Sequence, residues 1–170
     1  MCENGPNHNN QMSKRMKLSE WVGEWSGTKR LWFTPDDPAQ ESSSSASIFL
    51  AAGGNGVVFR YTWALDNKPQ DGVLVVRTHP EQGNLDMVWI DSLHTGGKFM
   101  EFRSEESSGG SMSALGSYSA PQGPEWGWRI VLDLDAGPGI QIRMFNITPD
   151  GDEALAVEIS YTRSTTSKNA

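Results

Sequence analysis

Val57-Val58-Phe59-Arg60-Tyr61-Thr62-Trp63-Ala64-Leu65 alternates strictly. Val57, Phe59, Tyr61, Trp63 and Leu65 fall on one side, and Val58, Arg60, Thr62 and Ala64 on the other. A period of two is that of a pleated strand with one face turned to a core, and no helical stripe fits it. Gly53-Gly54-Asn55-Gly56 precedes the stretch and Asp66–Gly72 follows it, both with turn composition. The same period recurs outward from here. Trp25, Gly27, Lys29, Leu31 and Phe33 share a face up to the stop at Thr34-Pro35-Asp36-Asp37-Pro38. The Ser42–Ser45 run reads as part of that loop, and Ser47–Ala52 as a short strand. Further strands are predicted over Val73–His79, Leu85–Ile90, Lys98–Ser104, Ser111–Ser119, Trp126–Leu134, Ile140–Ile147 and Ala154–Arg163.

About ten short strands joined by tight turns describe an antiparallel meander. A twisted sheet of that width curls, splits or closes, and closure removes its adhesive edges. The fold predicted is therefore all-β: a closed up-and-down antiparallel barrel of about ten strands. A short helix over Ser13–Trp21, opened by a Ser N-cap, is expected to plug one end. Residues 13–164 form one domain in this reading, flanked by flexible tails over 1–12 and 165–170. A repeat of fixed period, the mark of a propeller, is missing from the sequence.

Composition narrows the class. The chain has 170 residues and a formal net charge of -7, with no basic patch, so no nucleic-acid partner is expected. No apolar run approaches the roughly 18 residues of a spanning helix, and no membrane partner is expected. Met1–Lys17 is polar and lacks the apolar core of a secretory signal, so the expected address is cytoplasmic. Cys2 is the single cysteine, which excludes an internal disulfide and a multi-cysteine metal site. Asp36-Asp37, Glu105-Glu106 and Asp133 with Asp135 lack the further ligands a metal needs, and no metal or cofactor is expected.

Trp21-Val22-Gly23-Glu24-Trp25-Ser26-Gly27 resembles the Gly-x-Trp signature of the calycins, the superfamily of lipocalins and fatty-acid-binding proteins. The resemblance implies that Gly23 permits a sharp entry into the first strand and that Trp25 seals the barrel floor. It also implies that a basic residue of the last strand, here Arg163 of Tyr161-Thr162-Arg163, lies across the Trp25 ring. With Trp89-Ile90-Asp91-Ser92 in the middle, the chain is similar to an uncharacterised bacterial family of lipocalin-like barrels. The fold is what that likeness implies; it carries no activity. Related nitrobindin-like barrels bind haem through a histidine on a late strand. The histidines here are His8, His79 and His94, so the resemblance supplies no haem ligand.

Candidates for chemistry follow from the alternation. Tyr61, Trp63, Trp89, Trp126 and Trp128 each share a face with aliphatic residues, so an aromatic lumen suited to a flat or apolar guest is one reading. The other is that the rings fill the interior themselves. Asp91 continues the Leu85, Met87, Trp89 face; it either points inward, paired or hydrogen-bonded, or opens a turn. His94 and His79 are expected in solvated turns, His94 at a rim. Arg60 and Arg129 alternate out of phase with the aromatic faces, whereas Arg143 is kept as a lumen candidate for a ligand carboxylate. The lumen set is thus Tyr61, Trp63, Trp89, Asp91, Trp128 and Arg143. Three functions remain open: a barrel binding a small apolar or aromatic molecule, an acid–base isomerase or lyase using Asp91 and Tyr61, and a homodimeric barrel joined through its extra tryptophans.

Overall fold

A computed structural model describes residues 18–79, 84–104, 111–133 and 138–164. Its strands are β1 (Gly23–Leu31), β2 (Gln40–Ala51), β3 (Gly56–Leu65), β4 (Lys68–His79), β5 (Asn84–Asp91), β6 (Met100–Ser104), β7 (Ser111–Tyr118), β8 (Trp126–Asp133), β9 (Ile140–Ile147) and β10 (Glu153–Arg163). Each pairs antiparallel with its neighbours in sequence, and β1 pairs with β10 to close the barrel. In that seam Trp25 stands opposite Arg163 and Leu31 opposite Val157. Closure leaves no strand with an unpaired edge. The core is the inward half of the alternation: Phe59, Tyr61, Trp63, Leu74, Val76, Met87, Trp89, Phe102, Ile130, Leu132 and their neighbours are all buried.

Several boundaries depart from the sequence reading. Of the predicted N-terminal helix, the described residues show a single 3-10 turn, Leu18–Trp21, which ends just before Gly23 starts the first strand. Residues 13–17 and both predicted tails lie outside the described residues. The Ser42–Ser45 run is not loop but the middle of β2, held between β1 and β3. Composition hid this because serine has no apolar face to alternate. Ser44 nevertheless points inward: its hydroxyl donates to the Thr62 carbonyl at 2.9 Å and meets the Tyr161 hydroxyl at 2.7 Å. The turn before β4 is only Asp66-Asn67, both at positive φ (48° and 61°), the geometry of a tight two-residue hairpin. β4 therefore begins at Lys68, and Gly72 lies within it.

One end of the barrel is closed from below. The Trp25 indole donates to the Trp21 carbonyl at 2.8 Å, and Trp21 packs edge-on against Phe59 with ring centroids 5.3 Å apart. The Arg163 guanidinium lies 4.6 Å from the Trp25 ring centroid and donates to the carbonyls of Val22 at 2.9 Å and Glu20 at 2.5 Å. Gly23, at φ 141°, passes so close that a Cβ there would stand 2.7 Å from Arg163 Nη1. No helix among the described residues is long and apolar enough to cross a membrane.

Candidate functional site

The opposite end is closed differently, by a loop. β5 stops at Asp91, and the chain turns over the carboxylate it has just placed: Oδ1 accepts from the backbone amides of Leu93 and His94, both at 2.8 Å. Thr95 tightens the turn, its hydroxyl accepting from Asp91 N and donating to Asp91 O at 2.9 Å each. Both sequence alternatives for Asp91 therefore hold together. It is the last inward residue of the strand and also the organiser of the turn. Its other oxygen accepts from Tyr61 OH at 2.6 Å and Trp63 Nε1 at 3.4 Å. Tyr61 OH in turn accepts from Trp89 Nε1 at 2.8 Å. Gly72 makes room for this ring; a Cβ there would fall 2.2 Å from Tyr61 OH.

The turn drives His94 back into the mouth of the barrel. Its imidazole stacks on Trp63 at 5.5 Å and 16°, and lies 5.6 Å from Trp89 and 5.8 Å from Trp128. His94 is thus half-buried and not free in solvent at the rim: the hydrogen bonds of Asp91 to the turn fix the loop so that the ring enters a cage of three indoles. Below it sits Lys29, only 1% exposed. Its Nζ is 3.2 Å from His94 Nε2 and 3.3 Å from the centroid of the Trp63 ring, a close ammonium–indole contact.

The electrostatics follow from burial. Desolvation lowers the Lys29 pKa from 10.5 to about 7, against the charge of Asp91, which raises it. Desolvation, with the Lys29 charge beside it, lowers His94 to about 3, so the imidazole is neutral near pH 7. With Lys29 as an ammonium, Nε2 is then the lone-pair nitrogen that accepts. Burial alone would raise the Asp91 carboxyl, but the His94 ring, the Tyr61 hydroxyl, the His94 amide and the Lys29 charge outweigh it and hold it below the usual range. Burial, then Asp91, pushes the Tyr61 hydroxyl well above its ordinary value, so it stays a phenol. One polar atom of the cage lacks a partner: Trp128 is 8% exposed, and its Nε1 is buried without a hydrogen bond.

Tyr61, Trp63, Trp89, Asp91 and Trp128 meet in this one site. Arg143 does not join them. It alternates with the buried Ile142 and Met144, opposite Glu158 and Val131 on the neighbouring strands, and so belongs to the outer face. Two residues of the site, Lys29 and His94, were not in the lumen set expected from the sequence. Lys29 carried a readable signal, since it shares the face of Trp25 and Leu31, both buried. His94 carried none, because a residue in a turn has no alternation to place it. His79 lies at the other end of the barrel, 2.9 Å from the Asp86 carboxylate. Among the described residues no three His, Cys, Asp or Glu side chains gather into a metal-binding group. Of the seven tryptophans five are buried, and Trp32 and Trp126 are half-buried.

Residues 10–163 match the family described as protein of unknown function (DUF1579). The chain belongs to the DUF1579 family. No curated protein matches it. Among solved structures, the crystal structure of Rv2717c from M. tuberculosis is similar to this DUF1579 barrel with a TM-score of 0.59. The likeness covers 86% of this chain and 94% of that chain at 14% identity. At that identity the likeness shows a shared fold and nothing about ligands.

Proposed function

We propose that this DUF1579 barrel is a lipocalin-like small-molecule-binding protein that takes a planar, largely apolar guest at its His94 end. What carries the reading is the cage itself. Trp63, Trp89 and Trp128 surround a flat ring that comes from a loop, not from a strand, so the place they surround can be vacated without unpairing the sheet. Such rings offer large, rigid contact area and favour aromatic partners at centroid distances of about 4.5–7 Å. The acid–base reading draws less support. The lone pairs of Asp91 are committed to Tyr61, Trp63 and two backbone amides, and Tyr61 holds its own proton on Asp91. A general base needs a free acceptor within reach of a substrate proton.

Titration of the purified protein with neutral two-ring aromatics, followed by tryptophan fluorescence and native mass spectrometry, tests the proposal. Saturable quenching with one guest per chain is expected. Unchanged fluorescence with every compound, in wild type and in a His94→Ala variant, would overturn it. A second reading, self-association, rests on a different observation: Phe49, Val58, Val75 and Val88 pair in a lateral row on the outer face of β2–β5, with Phe49, Val75 and Val88 exposed. Sedimentation as a dimer, abolished by Phe49→Lys, is the expected result, and a monomer at high concentration would end it.

A further inference from the structure

The charges and unpaired groups of the cage say which guests it accepts. Lys29 and Asp91 bring one positive and one negative charge into the barrel, and the charge of Asp91 is already satisfied by four donors. The group now seated in the cage, the His94 imidazole, is a flat ring that presents one in-plane nitrogen to Lys29 Nζ at 3.2 Å. An anion in its place would leave a surplus negative charge in a poorly solvated site beside Asp91. A pure hydrocarbon in its place would strip Lys29 of its hydrogen-bond acceptor, and an unmet buried charged donor is costly. Independently, the buried Trp128 Nε1–H has no partner, and the Trp128 ring stands beside the same imidazole, 5.8 Å between centroids. A buried donor without an acceptor points to a second acceptor on whatever occupies the cage.

We infer that the guest is a neutral planar heteroaromatic compound that displaces the His94 imidazole. One ring acceptor takes the Lys29 amine, and a second acceptor, a ring nitrogen or carbonyl, takes the Trp128 indole N–H. The inference rests on the cage being a binding site and adds the chemical class of its ligand. His94 acts as an internal competitor, so the affinity of any guest is reduced by the fraction of molecules in which the loop has released the ring.

Isoquinoline, quinazoline, naphthalene and 1-naphthoate separate the possibilities, since they share a two-ring outline and differ in acceptors and charge. At about pH 6, below the Lys29 pKa of about 7 so that the amine is an ammonium, isoquinoline is expected to bind about tenfold or more tightly than naphthalene, the weight of one hydrogen bond to a charged donor. Quinazoline is expected to bind at least as tightly as isoquinoline, and 1-naphthoate more weakly. Lys29→Met should erase the advantage of isoquinoline by tightening naphthalene, which then strands no buried donor, and His94→Ala should tighten isoquinoline and naphthalene alike. If Lys29→Met does not fold, the wild-type Trp128 indole proton resonance decides, moving downfield with quinazoline and not with naphthalene. Equal affinities for isoquinoline and naphthalene, or tightest binding of 1-naphthoate, would overturn the ligand class while leaving the cage intact. Failure of all four compounds on His94→Ala would bring down the cage reading instead.

Discussion

Asp91→Asn is the sharpest test of how the mouth of this barrel is built. The carboxylate is 1% exposed and receives four donors: Tyr61 OH at 2.6 Å, Trp63 Nε1 at 3.4 Å, and the amides of Leu93 and His94 at 2.8 Å. An amide keeps the shape but has one acceptor oxygen. Its NH2 must face either the Tyr61–Trp63 pair or the two backbone amides, donor against donor. Lys29 loses its nearby negative charge at the same time. Hydrogen bonds to a charged group are worth about 1.5–3 kcal/mol each, and breaking a buried charge pair costs about 3–5 kcal/mol. These costs overlap, so the expected destabilisation is about 4 kcal/mol in total. At a urea slope of about 2 kcal/mol per molar the unfolding midpoint falls by about 2 M. Wild type should also lose stability as acid protonates Asp91. Its folded pKa lies below the unfolded one, so its contribution is complete above the unfolded value and lost as pH falls through the folded value. Asp91→Asn should lack that component. A midpoint shift under about 0.5 M with an unchanged acid limb would refute the reasoning.

Other perturbations reach different parts of the account. Lys29 binds a proton less readily folded than unfolded, with a pKa of about 7 against 10.5, so stability should rise with pH across that window. Tyr61, Asp91 and His94 face it, and denaturation of Lys29→Met at a series of pH values should show a flatter profile there, whereas an unchanged slope would remove Lys29 from the buried site. Gly72→Ala places a methyl 2.2 Å from Tyr61 OH, so the Tyr61–Asp91 bond should break at a cost of about 1–3 kcal/mol, read by urea unfolding. Arg163→Ala should cost about 1 kcal/mol by the same assay, since the guanidinium over Trp25 is solvent-exposed and its two carbonyl bonds are at the surface.

The barrel was legible in the sequence because its strands expose one face and bury the other. Val57–Leu65 alternates in the structure as its residues do, and Trp25 and Arg163 stand opposite each other in the closing seam. The serine run of β2 was illegible for the converse reason, since its one buried member, Ser44, is fixed by hydroxyl chemistry and not by hydrophobicity. The site was half legible. Period two carried Tyr61, Trp63, Trp89 and Asp91 to one face, and the same rule excludes Arg143 and includes Lys29, whose charge drew attention away from its phase. His94 depends on a turn organised by the carboxylate three residues earlier, a contact that no local pattern encodes.

The protons of the His94 ring report most directly on whether a loop residue occupies the three-tryptophan cage. In wild type they should be shifted far upfield by the surrounding indoles and should show no titration near 6.5, consistent with a folded pKa of about 3. Saturating quinazoline should return them to ordinary positions and restore a titration near 6.5 as the ring is released to solvent. Unshifted resonances that titrate near 6.5 in the free protein would contradict the account, because the ring would then be in water and the cage without its occupant.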